Sequence, residues 1–177
     1  MSWSDLRLGA LLLALLALPA CGFTPLYAEH SNSAGITADL SMVDVLAPEN
    51  DLGRELKYGL LDLLSSSGNP PANPAYRVEL APSIYDEDVA IEQDAEVTRK
   101  NLVLVVPFRL VDTETGKPVM RSVARSRTSY NRVDSEFANI VAARDAQSRI
   151  AKAVADDIKL QLGIHFNRHP RVADAAL

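Results

Sequence analysis

Few residues in this chain carry reactive chemistry, and their positions limit what that chemistry can be. Cys21 is the single cysteine among 177 residues. An intrachain disulfide is therefore excluded, and the thiol is either a small buried apolar group or a nucleophile for modification. The three histidines, His30, His165 and His169, sit near the two ends of the chain. No HExxH, Gly-x-Ser-x-Gly or glycine-rich phosphate loop accompanies them. His165 follows Gly163 closely and reads as a polar cap near a helix C-terminus. Asp86, Glu87, Asp88, Glu92, Asp94 and Glu96 form an acidic stretch, but the sharp-turn glycine of an EF-type calcium loop is missing. This is a solvated acidic loop by pattern. No catalytic group, metal site or cofactor is expected. The basic residues are more suggestive. Arg121, Arg125 and Arg127 share one phase of a strand pattern, and Arg99 and Lys100 lie near the start of the preceding strand. Guanidinium forks match phosphate oxygens bidentately, so the group fits an anion site. A solvated sheet face whose charges discourage aggregation fits the same residues.

The surroundings of Cys21 explain its placement. Leu8 to Ala20 is a run of thirteen residues of Leu, Ala, one Gly and one Pro, shorter than the about 20 apolar residues that span a bilayer. It follows a short leader carrying Arg7 and has the layout of a secretory signal, with Asp5 weakening the n-region. Leu18-Pro19-Ala20-Cys21 resembles the lipobox of bacterial lipoproteins. That resemblance implies diacylglyceryl transfer to the Cys21 sulfur, cleavage before it and acylation of the freed amine. Gly22, rather than aspartate, at the next position implies sorting to the outer membrane under the rule known from enteric bacteria. Residues 1–20 are then a signal peptide, leaving 157 residues, one domain's worth of chain.

The elements that must position the arginines follow from periodicity. Residues 21–35 read as a lipidated N-terminus and tether, and Ile36 to Leu46 as a strand. Asn50 or Asp51 can cap a helix to about Ser66, with Leu52, Leu56, Leu60, Leu63 and Leu64 on one face. Tyr76, Val78, Leu80 and Ile84 give a strand with Pro82 as an edge or bulge. Val97 to Asp112 is the strongest strand, with Leu102, Leu104, Val106, Phe108 and Leu110 on one face. Thr115-Gly116-Lys117-Pro118 turns it into Val119 to Tyr130. Ser135 or Asp134 can cap a helix to about Leu162, with Phe137, Ile140, Ala143, Ile150, Val154 and Ile158 near one stripe and Gly163 as terminator. The expected architecture is α+β: two helices packed on one face of a four-stranded mixed or mostly antiparallel sheet, in the order β-α-β-β-β-α. A single domain would cover residues 36–163, with residues 164–177 a disordered tail.

Charge is unevenly spread. Residues 36–96 hold three basic and thirteen acidic side chains, and residues 97–133 hold eight basic and two acidic, within a net charge of −5. Nucleic acid is a poor partner for so acidic an exported chain, whose basic segment lacks interleaved aromatics. On the strong strand the phase opposite the core holds Val103, Val105, Pro107 and Val111, with Arg109 the only charge after Asn101. An outer sheet face meeting water should be polar, so these valines predict a partner surface.

The heptapeptide Cys21-Gly-Phe-Thr-Pro-Leu-Tyr27, taken with this element order, resembles the lipopolysaccharide-assembly lipoproteins, the LptE family. That resemblance spans nearly the whole mature chain. It implies an outer-membrane lipoprotein, anchored on the periplasmic side through Cys21, that acts without catalysis. Such a protein is plug and assembly partner of the LptD β-barrel in lipopolysaccharide transport to the outer leaflet. The resemblance makes lipopolysaccharide phosphate the anion for Arg99, Lys100, Arg121, Arg125 and Arg127, and the barrel the partner for Val103, Val105 and Val111. The alternative is a periplasmic solute-binding or transporter-auxiliary lipoprotein. A lipid-modifying enzyme would need a nucleophile and base that the sequence does not offer.

Overall fold

The computed structural model describes residues 31–88 and 98–170. The Leu8–Ala20 run, Cys21, Gly22, His30 and the acidic residues Glu92, Asp94 and Glu96 lie outside the described residues, as do 171–177. The chain folds as α1 (Ser31–Ser41), β1 (Val43–Leu46), α2 (Asp51–Leu64), β2 (Tyr76–Leu80), β3 (Ser83–Asp88), β4 (Thr98–Asp112), β5 (Pro118–Arg132) and α3 (Glu136–Arg168). This is an α+β fold, with a mixed five-stranded sheet and three helices among the described residues.

β4 is the hub of the sheet. β5 runs antiparallel along one edge of it, from Thr98 opposite Arg132 to Leu110 opposite Met120, with a bulge between Leu110 and Val111. β2 and β3 lie antiparallel along its other edge, and β1 pairs parallel with β2. Tyr76 faces Asp112, Leu80 faces Phe108, Ser83 faces Val105 and Asp88 faces Lys100. No residue is gained or lost between the two pairings. β2 and β3 are therefore one strand interrupted at Ala81-Pro82 without a bulge, because Pro82 has no N–H to donate. The Ala81 N–H still reaches the Pro107 carbonyl at 3.0 Å. The four strands expected from sequence become five by this interruption alone.

The helices cover one face. A single apolar cluster joins Leu104, Val106, Phe108 and Leu110 of β4 and Val78 of β2 to Leu56, Leu60, Leu61 and Leu64 of α2. Ile150, Val154, Ile158, Leu162 and Phe166 of α3 complete it. α2 starts where the Asn50 side chain accepts from the Gly53 N–H at 2.7 Å. A Cβ at Gly53 would stand 2.0 Å from the Pro48 carbonyl oxygen, so only glycine lets this turn close. α3 is capped by Ser135, and the Asn139 amide bonds both the N–H and the carbonyl of Val133 at 2.9 and 2.8 Å.

Four expectations are corrected. Ser31–Ser41 is helical where a tether and the first part of a strand were expected, and only Val43–Leu46 is extended. Ile36 and Leu40 are both buried, and a spacing of four satisfies the helical and the alternating period alike. Gly163 does not end α3, which continues to Arg168 and buries Phe166, so residues 164–168 are part of the domain. A mid-helix glycine costs about 1 kcal/mol, less than the packing of an aromatic side chain returns. Phe166 packs on Tyr76 with ring centroids 5.1 Å apart. At the other end of α3, Phe137 is 77% exposed and Ile140 is exposed too, so the first turns stand clear of the core that the stripe suggested.

Candidate interaction face

The second face of the sheet carries the residues singled out for their chemistry. Strand alternation sends the even-numbered residues of β4 from Leu102 to Leu110 under the helices and the odd ones, Asn101 to Val111, to the opposite side. Cross-strand register then fixes their neighbours. Val103 lies between Tyr85 and Arg127, Val105 between Ser83 and Arg125, Pro107 beside Val123, and Arg109 between Glu79 and Arg121. The phase expected for the outer face is the observed one.

Accessibility along this row is uneven. Val103 is fully buried although it lies outside the helix-side cluster, so its side chain is not available to a partner. Val105 and Val111 are half-buried. The accessible apolar centre is instead Pro107 and Val123, the latter 53% exposed, with Tyr85 and Leu46 exposed further across the sheet. Val123 was hidden in the sequence because it shares its phase with three arginines and reads as part of a charged strand.

The arginines are brought together, and most meet a carboxylate. Arg127 and Arg125 both approach Glu87, at 2.6 and 3.8 Å. Arg109 pairs with Glu79, and Arg77 stands 3.6 Å from Asp44. Arg99 donates to the Ser129 hydroxyl at 2.8 Å. Arg121 makes no ion pair or hydrogen bond with another described residue and faces Arg109 directly across the strands. These pairs are exposed at the arginine end, and pairs of that kind contribute only about 0–1 kcal/mol. Among the described residues arginine outnumbers carboxylate on the face, six (Arg77, Arg99, Arg109, Arg121, Arg125, Arg127) against three (Asp44, Glu79, Glu87). Lys100 is not among them. It occupies the helix-side phase and stands 3.5 Å from Asp86, because consecutive strand residues project to opposite faces.

Two open clefts occupy the helix side. One, about 410 Å³, lies between α2 and α3 and is lined by Glu55, Gly59, Asp62, Ser148 and Lys152 among others. The second, about 340 Å³, lies where α3 leaves the sheet, against Ile84, Leu102, Tyr130 and Arg144. At the far end of α3, His165 and His169 stack with ring centroids 4.7 Å apart. Burial, and secondarily the neighbouring His169, hold the His165 imidazole below its ordinary pKa.

No protein-family model matches the chain. It is 23% identical over 151 residues to the uncharacterized protein RP188 of Rickettsia prowazekii (strain Madrid E), covering 85% of this chain and 92% of that one. Among solved structures, a Caulobacter crescentus CB15 protein described as a lipoprotein is 26% identical, with a TM-score of 0.65 over 77% of this chain and 99% of that chain. A minor lipoprotein from Acinetobacter baumannii, 16% identical, superposes with a TM-score of 0.56 over 70% of this chain and 90% of its own. Rare lipoprotein B from Shewanella oneidensis, 13% identical, gives 0.56 over 73% and 98%. The chain thus has the fold of these bacterial lipoproteins, with the described helices all on one side of its sheet.

Proposed function

We propose that this chain is an outer-membrane lipoprotein, acylated at Cys21 and non-catalytic, that docks the helix-free face of its sheet against an LptD-type β-barrel. There it takes part in delivering lipopolysaccharide to the outer leaflet. One observation carries the reading: a sheet face that none of the described residues covers, apolar at Pro107 and Val123 and bordered by a surplus of arginine among those residues. A sheet buries such a face against another layer, and this chain places all its described helices on the other side. The Cys21–Tyr27 heptapeptide supports the identity of the partner through its resemblance to the lipopolysaccharide-assembly lipoproteins, and the fold shared with rare lipoprotein B supports the lipoprotein reading.

Photocrosslinkers at Val123, Val105 and Val111 are expected to trap a large barrel protein in detergent-solubilised outer membranes, whereas one at Leu104 reacts within the domain. Recovery of a free monomer, with no barrel product from any of the three positions, overturns the docking and favours a periplasmic solute-binding or transporter-auxiliary lipoprotein. Anchoring has its own test. A single acyl chain gives only marginal membrane binding and stable attachment takes two signals, so Cys21→Ala is expected to leave an uncleaved or soluble precursor. An unmodified Cys21 in the intact mass of the mature wild-type protein contradicts this.

A further inference from the structure

The continuation of α3 past Gly163 brings two imidazoles together, His165 in the last turn of the helix and His169 at its C-cap. His165 and His169 are four residues apart at the end of a helix, the spacing that lets two histidines face one metal ion. Their rings are stacked, with centroids 4.7 Å apart and planes inclined by 27°.

Each ring is prepared differently. His169 Nδ1 lies 3.1 Å from the His165 carbonyl oxygen. Donation there leaves the Nε2 lone pair free, the arrangement in which a backbone acceptor sets the tautomer of a metal-binding histidine. The His165 ring nitrogens bond to no other described residue, and the ring meets Phe166 edge-on at 5.7 Å. Phe166 is held in the core against Tyr76, so one ligand stands on a rigid part of the fold.

We propose that His165 and His169 chelate one divalent late transition-metal ion, Cu²⁺, Ni²⁺ or Zn²⁺, at the C-terminal end of α3. Imidazole suits these ions, with Cu²⁺ expected to bind most tightly. No group of three or more His, Cys, Asp or Glu side chains gathers among the described residues, so the two imidazoles are the ligands the described residues supply. The site is an open, exchangeable one that ties the last turn of α3 together.

The experiment uses the tag-free mature protein in detergent, titrated calorimetrically with CuCl₂, NiCl₂ or ZnCl₂ alone, with histidine ring resonances followed in parallel. One ion per chain is expected, shifting the rings of His165 and His169 together. Chelation makes the second contact intramolecular, so His165→Gln and His169→Gln are each expected to weaken binding by about 100-fold. His30→Gln should leave it unchanged. Should His165→Gln fail to fold, His169→Gln carries the test, because His169 is exposed and its replacement leaves the core intact. The proposal is overturned by no binding at millimolar metal, by wild-type affinity in His169→Gln, or by loss of binding in His30→Gln.

Discussion

Arg121 and Arg109 stand directly opposite each other, and like charges in that position are destabilising. The pair tolerates this because Glu79 neutralises one member. Arg121→Glu separates the two readings of the basic strand. It converts a repulsive cross-strand pair into an attractive one, so stability should rise by about 0.2–1 kcal/mol, read by urea unfolding. If the face takes lipopolysaccharide phosphate, binding should weaken at the same time, and high salt should weaken it in the wild type. A rise in stability with unchanged binding means that the face is merely solvated. Gly53 gives a second test at this scale. A Cβ there would meet backbone 2.0 Å away, so Gly53→Ala should cost more than the about 1 kcal/mol that glycine normally concedes to alanine in a helix. His165 gives a third. Its folded-state pKa is lowered, so the unfolded chain binds more protons and stability falls as pH drops below about 6.5 toward the folded value. Urea midpoints measured from pH 7.5 to 5 should show this slope, and His165→Gln should flatten it.

At the scale of elements, legibility followed the length of the pattern. β4, β5 and α2 each repeat one period over many residues, and the sequence placed them closely. α1 was misread because Ile36 and Leu40 satisfy both periods, and packing against the core decides between them. The end of α3 was misread because a glycine was taken as a stop, although Leu162 and Phe166 continue the apolar stripe past it. Phe166→Ala should therefore cost about 3–5 kcal/mol in chemical denaturation, whereas a disordered tail would give no change. The candidate face was legible in its phase and illegible in its accessibility. Alternation says on which side Val103 lies, but only the register beside Tyr85 and Arg127 sets how much of it remains exposed. Lys100 was grouped with Arg99 by proximity in sequence, which in a strand separates residues rather than joining them.

For the whole molecule, α3 at 33 residues is about 50 Å long, and the two 15-residue strands β4 and β5 are of similar length at about 3.4 Å per residue. The protein is thus a long slab, helices on one broad side and the arginine-bordered sheet on the other. Its hub carries a consequence for the order in which the chain can take shape. β2, β3 and β5 all pair with β4, and β4 begins only at Thr98. Along a chain that emerges N-terminus first, from a ribosome or a translocation channel, the one ladder that the described residues can form before that residue is the four-residue pairing of β1 with β2. The pairings of β2 and β3 with β4 therefore wait until the β4–β5 hairpin closes by local contacts and gives them an edge. The pairing pattern itself thus sets the order in which the sheet is built, the hairpin first and the β2 and β3 pairings after it.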